Sequence, residues 1–236
     1  MQTGILYAIP CTLGSTRTNH VIPEQVKAII ASLEYFIVEN EKSARHFFKN
    51  LEAGIIQANL KINVLDKHDE KKGLEKLLSP ALEGKNMGLL SEAGFVAVAD
   101  PGALIIELAH KKKIKVVPLS GPSSILLALM ASGLNGQSFC FHGYLPKEKE
   151  QLKIKLKELE NYSFKKNQTQ VFIETPYRNM QLLEAIITVC EPSTLMCVAT
   201  DITLDSEMIS TKTISEWKKN IPDINKRPSV FLLLKK

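Results

Sequence analysis

Cysteine is scarce in this chain, and what there is does not pair. Cys11, Cys140, Cys190 and Cys197 show no CxxC spacing and no paired-histidine spacing. That argues against a zinc site or a disulfide framework, and leaves reduced thiols and no bound metal as the expectation. Long apolar runs are also missing. The longest, Ile125 to Ala131, falls far below the roughly 20 residues of a membrane span. The opening MQTGILYAIPC has no charged leader, so no signal peptide is expected and a cytoplasmic protein is. With 12 Gly and 11 Pro in 236 residues, the chain is neither linker-rich nor disordered. Several chemistries have no motif to stand on: there is no GxxxxGK[ST], no GxGxxG and no GxSxG. The stretch Glu41 to His46 lacks the His-Glu-x-x-His spacing of a zincin.

Positive charge is present. The net charge is +5, with a pI of about 8.9. Lysines gather at Lys111-Lys112-Lys113 with Lys115, at Lys147, Lys149, Lys153, Lys155 and Lys157, and at Lys165-Lys166. Such clusters either attract a polyanion such as RNA or form solvated faces. Glu148, Glu150, Glu158 and Glu160 interleave with many of them and favour the second reading.

Strand-length apolar runs alternate with helical patterns through the first half. Ile5–Ile9, Tyr35–Val38, Ile62–Leu65, Gly88–Leu90 and Ile114–Leu119 are the predicted strands. Between them the spacing predicts helices through Val26, Ile29, Ile30 and Leu33, through Ala44, Phe47, Phe48 and Leu51, through Leu74, Leu77, Leu78 and Leu82, and over Ala103–His110. Steady alternation implies right-handed crossovers and a mainly parallel sheet. After a helix over Ile125–Ser132, strands follow one another more closely: Phe139–Tyr144, Val171–Ile173, Leu195–Ala199, Met208–Ile209 and Val230–Leu234. A charged helix through Leu152, Leu156 and Leu159 and another over Met180–Val189 accompany them, which predicts a mixed sheet. The fold class expected is α/β, with two αβα domains, 1–117 (mainly parallel) and 118–236 (mixed).

In open parallel sheets, ligands bind beyond the carboxyl ends of strands. Three small-residue turns sit at such ends: Pro10 to Gly14, Ser91-Glu92-Ala93-Gly94, and Ser120-Gly121-Pro122-Ser123-Ser124. Small residues admit a ligand close to the backbone, and hydroxyls and free helix amides supply donors. The last turn also fits a helix N-cap. His68, flanked by Asp66, Asp69 and Glu70 after a strand end, is a candidate base or a solvated loop histidine.

At these residues the chain resembles the tetrapyrrole methylase superfamily, the class III S-adenosylmethionine methyltransferases. Within it, the 16S rRNA cytidine 2'-O-methyltransferases are the most similar. Leu6-Tyr-Ala-Ile-Pro-Cys-Thr-Leu-Gly14 resembles LYxVPTPIGN, and Leu89 to Gly102, LLSEAGFVAVADPG, resembles LxSDAGTPxISDPG. Val116 to Ser123, VVPLSGPS, resembles VVPLPGPC. Ala131-Ser-Gly-Leu134, Phe139 to Pro146 and Glu174-Thr-Pro-Tyr-Arg178 are similar to ASGLP, FxFxGFLP and ESPHR. The resemblance implies a homodimer with S-adenosyl-L-methionine held in a cleft between the domains. It implies cofactor contacts from Pro10, Leu13 and Gly14, from Ser91, Glu92, Ala93 and Gly94, and from Asp100, Pro101 and Gly102. Ser123, Ser124, Thr175 and Ile202 match further contact positions. The sulfonium makes the cofactor's methyl electrophilic, so the protein has mainly to position a nucleophile. His68, Asp69 and Glu39 are the candidates to take the acceptor's proton.

The departures from the rRNA enzymes fall on the acceptor side. Val38-Glu39-Asn40-Glu41-Lys42 stands where they carry AEDTR, and Thr200-Asp201-Ile202-Thr203-Leu204 where they carry RELTK. Ser15 replaces an asparagine, and a C-terminal extension common in those enzymes is expected to be absent. Three readings follow: an RNA methyltransferase acting on 16S rRNA or the 30S subunit, a same-fold methyltransferase of a tetrapyrrole or other small molecule, and a non-catalytic binder of S-adenosylmethionine.

Overall fold

Alternate residues of the early strands serve two different cores. A computed structural model describes residues 2–65 and 71–236, and it falls into two compact units, Met1–Ser123 and Ser124–Lys236. In the first unit, β1 (Ile5–Ile9), β2 (Tyr35–Val38), β3 (Lys61–Val64), β4 (Met87–Leu90) and β5 (Lys115–Pro118) form one sheet in the order β3-β2-β4-β1-β5. Every pairing among them is parallel. On β2, Phe36 and Val38 join one buried cluster and Ile37 the other, as the two-residue period of a strand requires. Helices α1 (Glu24–Ala31) and α2 (Glu41–Asn50) supply Val26, Ile30, Phe47 and Phe48 to the first cluster. On the other face, α3 (Lys71–Lys76), α4 (Ser79–Leu82) and α5 (Gly102–Lys111) supply Leu74, Ala81, Ile105 and Leu108. Burial on both faces is what a parallel sheet of apolar runs needs. Gly88 sits at the crowded middle, where a Cβ would lie 2.6 Å from Phe36 and 2.7 Å from Ile9.

The single helix expected from Leu74 to Leu82 is two. Leu77 and Leu78 donate to the carbonyls of Leu74 and Glu75 in tight turns, and Pro80 then stands in the first turn of α4. Proline fits a helix start and disfavours helical backbone just before it.

In the second unit, α6 (Ser124–Ser132), β6 (Phe139–Tyr144), α7 (Lys149–Lys166), β7 (Thr169–Ile173), α8 (Asn179–Val189), β8 (Leu195–Thr200), β9 (Met208–Thr213), α9 (Ile214–Trp217) and β10 (Ser229–Leu234) follow in order. The sheet order is β6-β7-β10-β8-β9. β6 and β7 are parallel and the other three pairings antiparallel, so the sheet is mixed. Its core packs Leu156, Leu159, Leu183, Ile186 and Trp217 against Phe172 and Phe231, whose rings stack at 6.0 Å. Two polar groups are satisfied inside it. Trp217 Nε1 donates to the Met196 carbonyl at 2.9 Å. The buried Glu160 carboxylate accepts from Glu191 N at 2.7 Å and Thr194 Oγ1 at 2.6 Å. α9 starts with a capping box between Thr213 and Glu216, an S/T-x-x-E signature present in the sequence.

Candidate functional site

β1 and β4 are neighbours, yet their connections leave on opposite faces, through α1 and α5 respectively. Such a divergence opens a crevice at the carboxyl ends of the strands. There the two following loops are tied together by backbone. Cys11 N donates to Gly94 O at 2.9 Å, and Gly94 N to Cys11 O at 3.2 Å. Gly94 has φ +67°, and a Cβ on it would lie 3.3 Å from Leu13 and 3.7 Å from the Pro122 carbonyl. The β5 loop presses on the β1 loop as well: a Cβ on Gly121 would lie 2.3 Å from Pro10 Cγ. Glycine is required at both positions by φ or by space. Pro10, Leu13, Gly94 and the Gly121–Ser123 corner are therefore brought together within the first unit.

Three carboxylates surround this clasp. Glu39, just past β2, accepts from Glu92 N at 3.3 Å, and Glu92 accepts from Ser43 Oγ at 3.1 Å. Asp100 Oδ1 accepts from Gly102 N at 2.6 Å, whereas Asp100 Oδ2 is buried without a hydrogen-bond partner among the described residues. Burial raises the Asp100 pKa above the usual carboxylate range, against the backbone donors of Gly102 and Ala97. The Cys11 thiol is pushed up to about 12, first by burial and then by the charges of Glu92, Glu39 and Asp100. Ala97 (φ 68°) and Ala99 (φ 61°) hold left-handed backbone just before Asp100, a strained conformation that concentrates at ligand-holding loops.

Next to the clasp, at the ends of β1, β2 and β4, lies a cavity of about 750 Å³. Of the site residues expected from sequence, Gly14, Ser91 and Glu92 line it; the rest of its wall includes Thr12, Ser15, Thr16 and residues of α2, among them Lys42, His46, Phe47 and Lys49. His46 and Lys49 were not read from sequence, and Lys42 was read only as a departure from the AEDTR pattern. Their signal was there: Lys42, His46 and Lys49 recur at helical spacing opposite the apolar Ala44, Phe47 and Phe48. At the AEDTR-like position, Lys42 keeps a cation at the wall.

In the second unit, Ser124 begins α6, Thr175 is exposed after β7 and Ile202 is buried after β8. The strands β7 and β8 both run antiparallel to β10, so Thr175 and Ile202 follow strands that end at the same edge of the sheet. At the RELTK-like position, Thr200 is buried and shares a hydrogen bond of 2.9 Å with Ser229. Arg227 brings a guanidinium there from another part of the chain, with Nε 2.7 Å from Asp201 Oδ2. His68 and Asp69 lie outside the described residues. Among the described residues no helix is long and apolar enough to cross a membrane, and no three His, Cys, Asp or Glu residues gather to hold a metal ion.

No protein-family model matches the chain. It is 30% identical over 231 residues to ribosomal RNA small subunit methyltransferase I of Vibrio cholerae, covering 98% of this chain and 76% of the relative. With the Escherichia coli O157:H7 protein of the same name the identity is 28% over 234 residues, covering 98% and 77%. Among solved structures, the methyltransferase CobJ superposes with a TM-score of 0.65 at 18% identity, covering 99% of this chain and 95% of that one. That likeness establishes the tetrapyrrole methylase fold.

Proposed function

The chain belongs to the family of ribosomal RNA small subunit methyltransferase I, and from that premise we propose that it methylates small-subunit ribosomal RNA at the ribose 2'-oxygen of a cytidine. It is an S-adenosylmethionine-dependent methyltransferase. When bound, the cofactor supplies an electrophilic methyl group on a sulfonium centre.

The observation that carries the reading is the clasp with its carboxylates. A buried Asp100 Oδ2 lacking a partner, beside Glu39 and Glu92, suits a cationic ligand. Gly94 and Gly121 keep side chains out of the corner where a ligand would meet the backbone. The proposed cofactor contacts in the first unit are Pro10, Leu13, Gly14, Ser91 to Gly94, Asp100 to Gly102 and Ser123. Ser124, Thr175 and Ile202 are proposed in the second unit from the sequence resemblance. Glu39 is the proposed proton acceptor for the ribose hydroxyl, its carboxylate held by the Glu92 amide. The resemblance also supports a homodimer, and ribosomal RNA as substrate supports a cytoplasmic location.

The test is transfer of tritium from labelled S-adenosylmethionine to 30S subunits, naked small-subunit rRNA and a porphyrinogen panel. The proposal expects label in RNA alone. Label only in a porphyrinogen would overturn the substrate, and label nowhere would overturn the turnover.

A further inference from the structure

α2 is amphipathic, with Ala44, Phe47 and Phe48 buried against the sheet. At about 100° per residue, Lys42, His46 and Lys49 share an arc of roughly 60° on the helix. All three line the cavity. Arg45, between them, is already engaged: it pairs with Glu41 at 2.7 Å and donates to the Gln57 carbonyl at 3.1 Å. Lys42, His46 and Lys49 have no hydrogen bond or ion pair among the described residues. Several of the lysines that stand out in the sequence are already engaged. Lys111 pairs with Glu107, Lys112 with Glu75, Lys153 with Glu150 and Lys155 with Glu158.

The rest of the cavity is mixed, with Cys11, Ala44 and Phe47 giving apolar surface beside polar groups. Thr12, Ser15 and Thr16 offer hydroxyls, and Glu92 faces it from the loop after β4. A cation row on one wall and a carboxylate on another form a dipolar slot. A phosphate is drawn to α2 and repelled by Glu92, whereas a sugar hydroxyl donates well to that carboxylate. Its volume of about 750 Å³ lies in the range of small-ligand pockets.

We propose that Lys42, His46 and Lys49 hold the phosphodiester backbone of the RNA acceptor, leaving the ribose edge toward Glu92. The inference rests on the reading of RNA as the acceptor and assigns that reading a binding row. Lys42 and Lys49 are about 10 Å apart along the helix axis, so their ammonium groups can engage separate phosphates.

The experiment is filter binding of deproteinised small-subunit rRNA to the full chain between 50 and 200 mM salt. In the variant Lys42→Gln/Lys49→Gln, the slope of log affinity against log salt should fall in magnitude by about 1.4 to 1.8, two phosphate contacts' worth. Affinity at about 0.1 M salt should drop at least ~10-fold, while S-adenosylmethionine affinity and the melting temperature hold. Lys42→Arg/Lys49→Arg should restore the slope. An unchanged slope overturns the proposal, as does an equal loss in Lys153→Gln/Lys155→Gln. So does a porphyrin polycarboxylate that displaces RNA from the wild type but not from the variant, since it would assign the row to a small-molecule acceptor. Should the double variant melt early, Lys49→Gln alone decides, with an expected slope change of about 0.7 to 0.9. Binding needs no turnover. A chain that binds RNA through this row yet transfers no methyl group would sink the enzymatic reading and leave the row intact.

Discussion

Along the middle of α7 three lysines find carboxylates one turn away: Lys153 lies 2.7 Å from Glu150, Lys155 3.4 Å from Glu158, and Lys157 3.5 Å from the buried Glu160. Along α2 the one ion pair among the described residues, Arg45 with Glu41, removes a single cation and leaves Lys42 and Lys49 facing a cavity. Both helices are basic, and α7 is the more conspicuous in the sequence. Three of its six lysines are spent locally in such weak pairs, while Lys149, Lys165 and Lys166 at its two ends make no ion pair among the described residues. Where the countercharges fall on the helix decides whether a lysine is available to a polyanion, and the number of lysines does not.

The sharpest way to break this comparison is at Glu160. Its carboxylate serves Glu191 N and Thr194 Oγ1 in a buried setting. Glu160→Ala should cost about 3 kcal/mol, measured by denaturant unfolding, because a buried hydroxyl and a part-buried amide lose their acceptor. RNA affinity per folded molecule should not fall, since Lys157 loses its countercharge and can only add to it. A loss of RNA binding at constant folded fraction would show that α7 takes part.

A smaller effect is expected in the first unit from Gly121→Val, whose Cβ would collide with Pro10. Stability should fall by about 2 kcal/mol, and calorimetry should find S-adenosylmethionine binding lost. Retained binding would remove the β5 corner from the cofactor site.

Alkaline pH should tell on both units by less. The thiols of Cys11 and Cys190 are raised from 9.0 to about 12, chiefly by burial. In the unfolded chain they ionise above pH 9, whereas in the fold they stay protonated. Stability is therefore whole below pH 9 and declines as pH climbs toward 12, on the order of 1 kcal/mol per thiol at pH 10. Melting scans of Cys11→Ser and Cys190→Ser, compared with wild type at pH 7 and pH 10, should show the pH-dependent part shrink in each; an equal pH dependence in all three proteins would refute it.

The smallest effect belongs to Lys153→Gln/Lys155→Gln. Stability should shift by less than about 0.5 kcal/mol, with the RNA salt slope unchanged. A flatter slope would erase the distinction between the two helices.

Much of the fold was legible in the sequence for a physical reason. Phe36-Ile37-Val38 and Leu89-Leu90 are buried on both sides, so they stand as unbroken apolar runs, and the small-residue turns follow them directly. The break at Leu77–Leu78 was harder to see, because the apolar spacing continues across Pro80. The loops at Pro10, Gly94 and Gly121 were recognisable from composition and family resemblance, but the pairing of Cys11 with Gly94 is a tertiary contact that no local pattern encodes. The wall formed by α2 was overlooked for a related reason. The Glu41–Arg45 spacing of four residues is legible on a helix, but the Gln57 carbonyl that also holds Arg45 is brought there only by the fold.

The most direct test digests small-subunit rRNA to nucleosides after incubation with the chain and methyl-labelled S-adenosylmethionine. The account predicts that the label is recovered as 2'-O-methylcytidine. Label in a base-methylated nucleoside, or no label in RNA from a preparation shown to bind the cofactor, would contradict it.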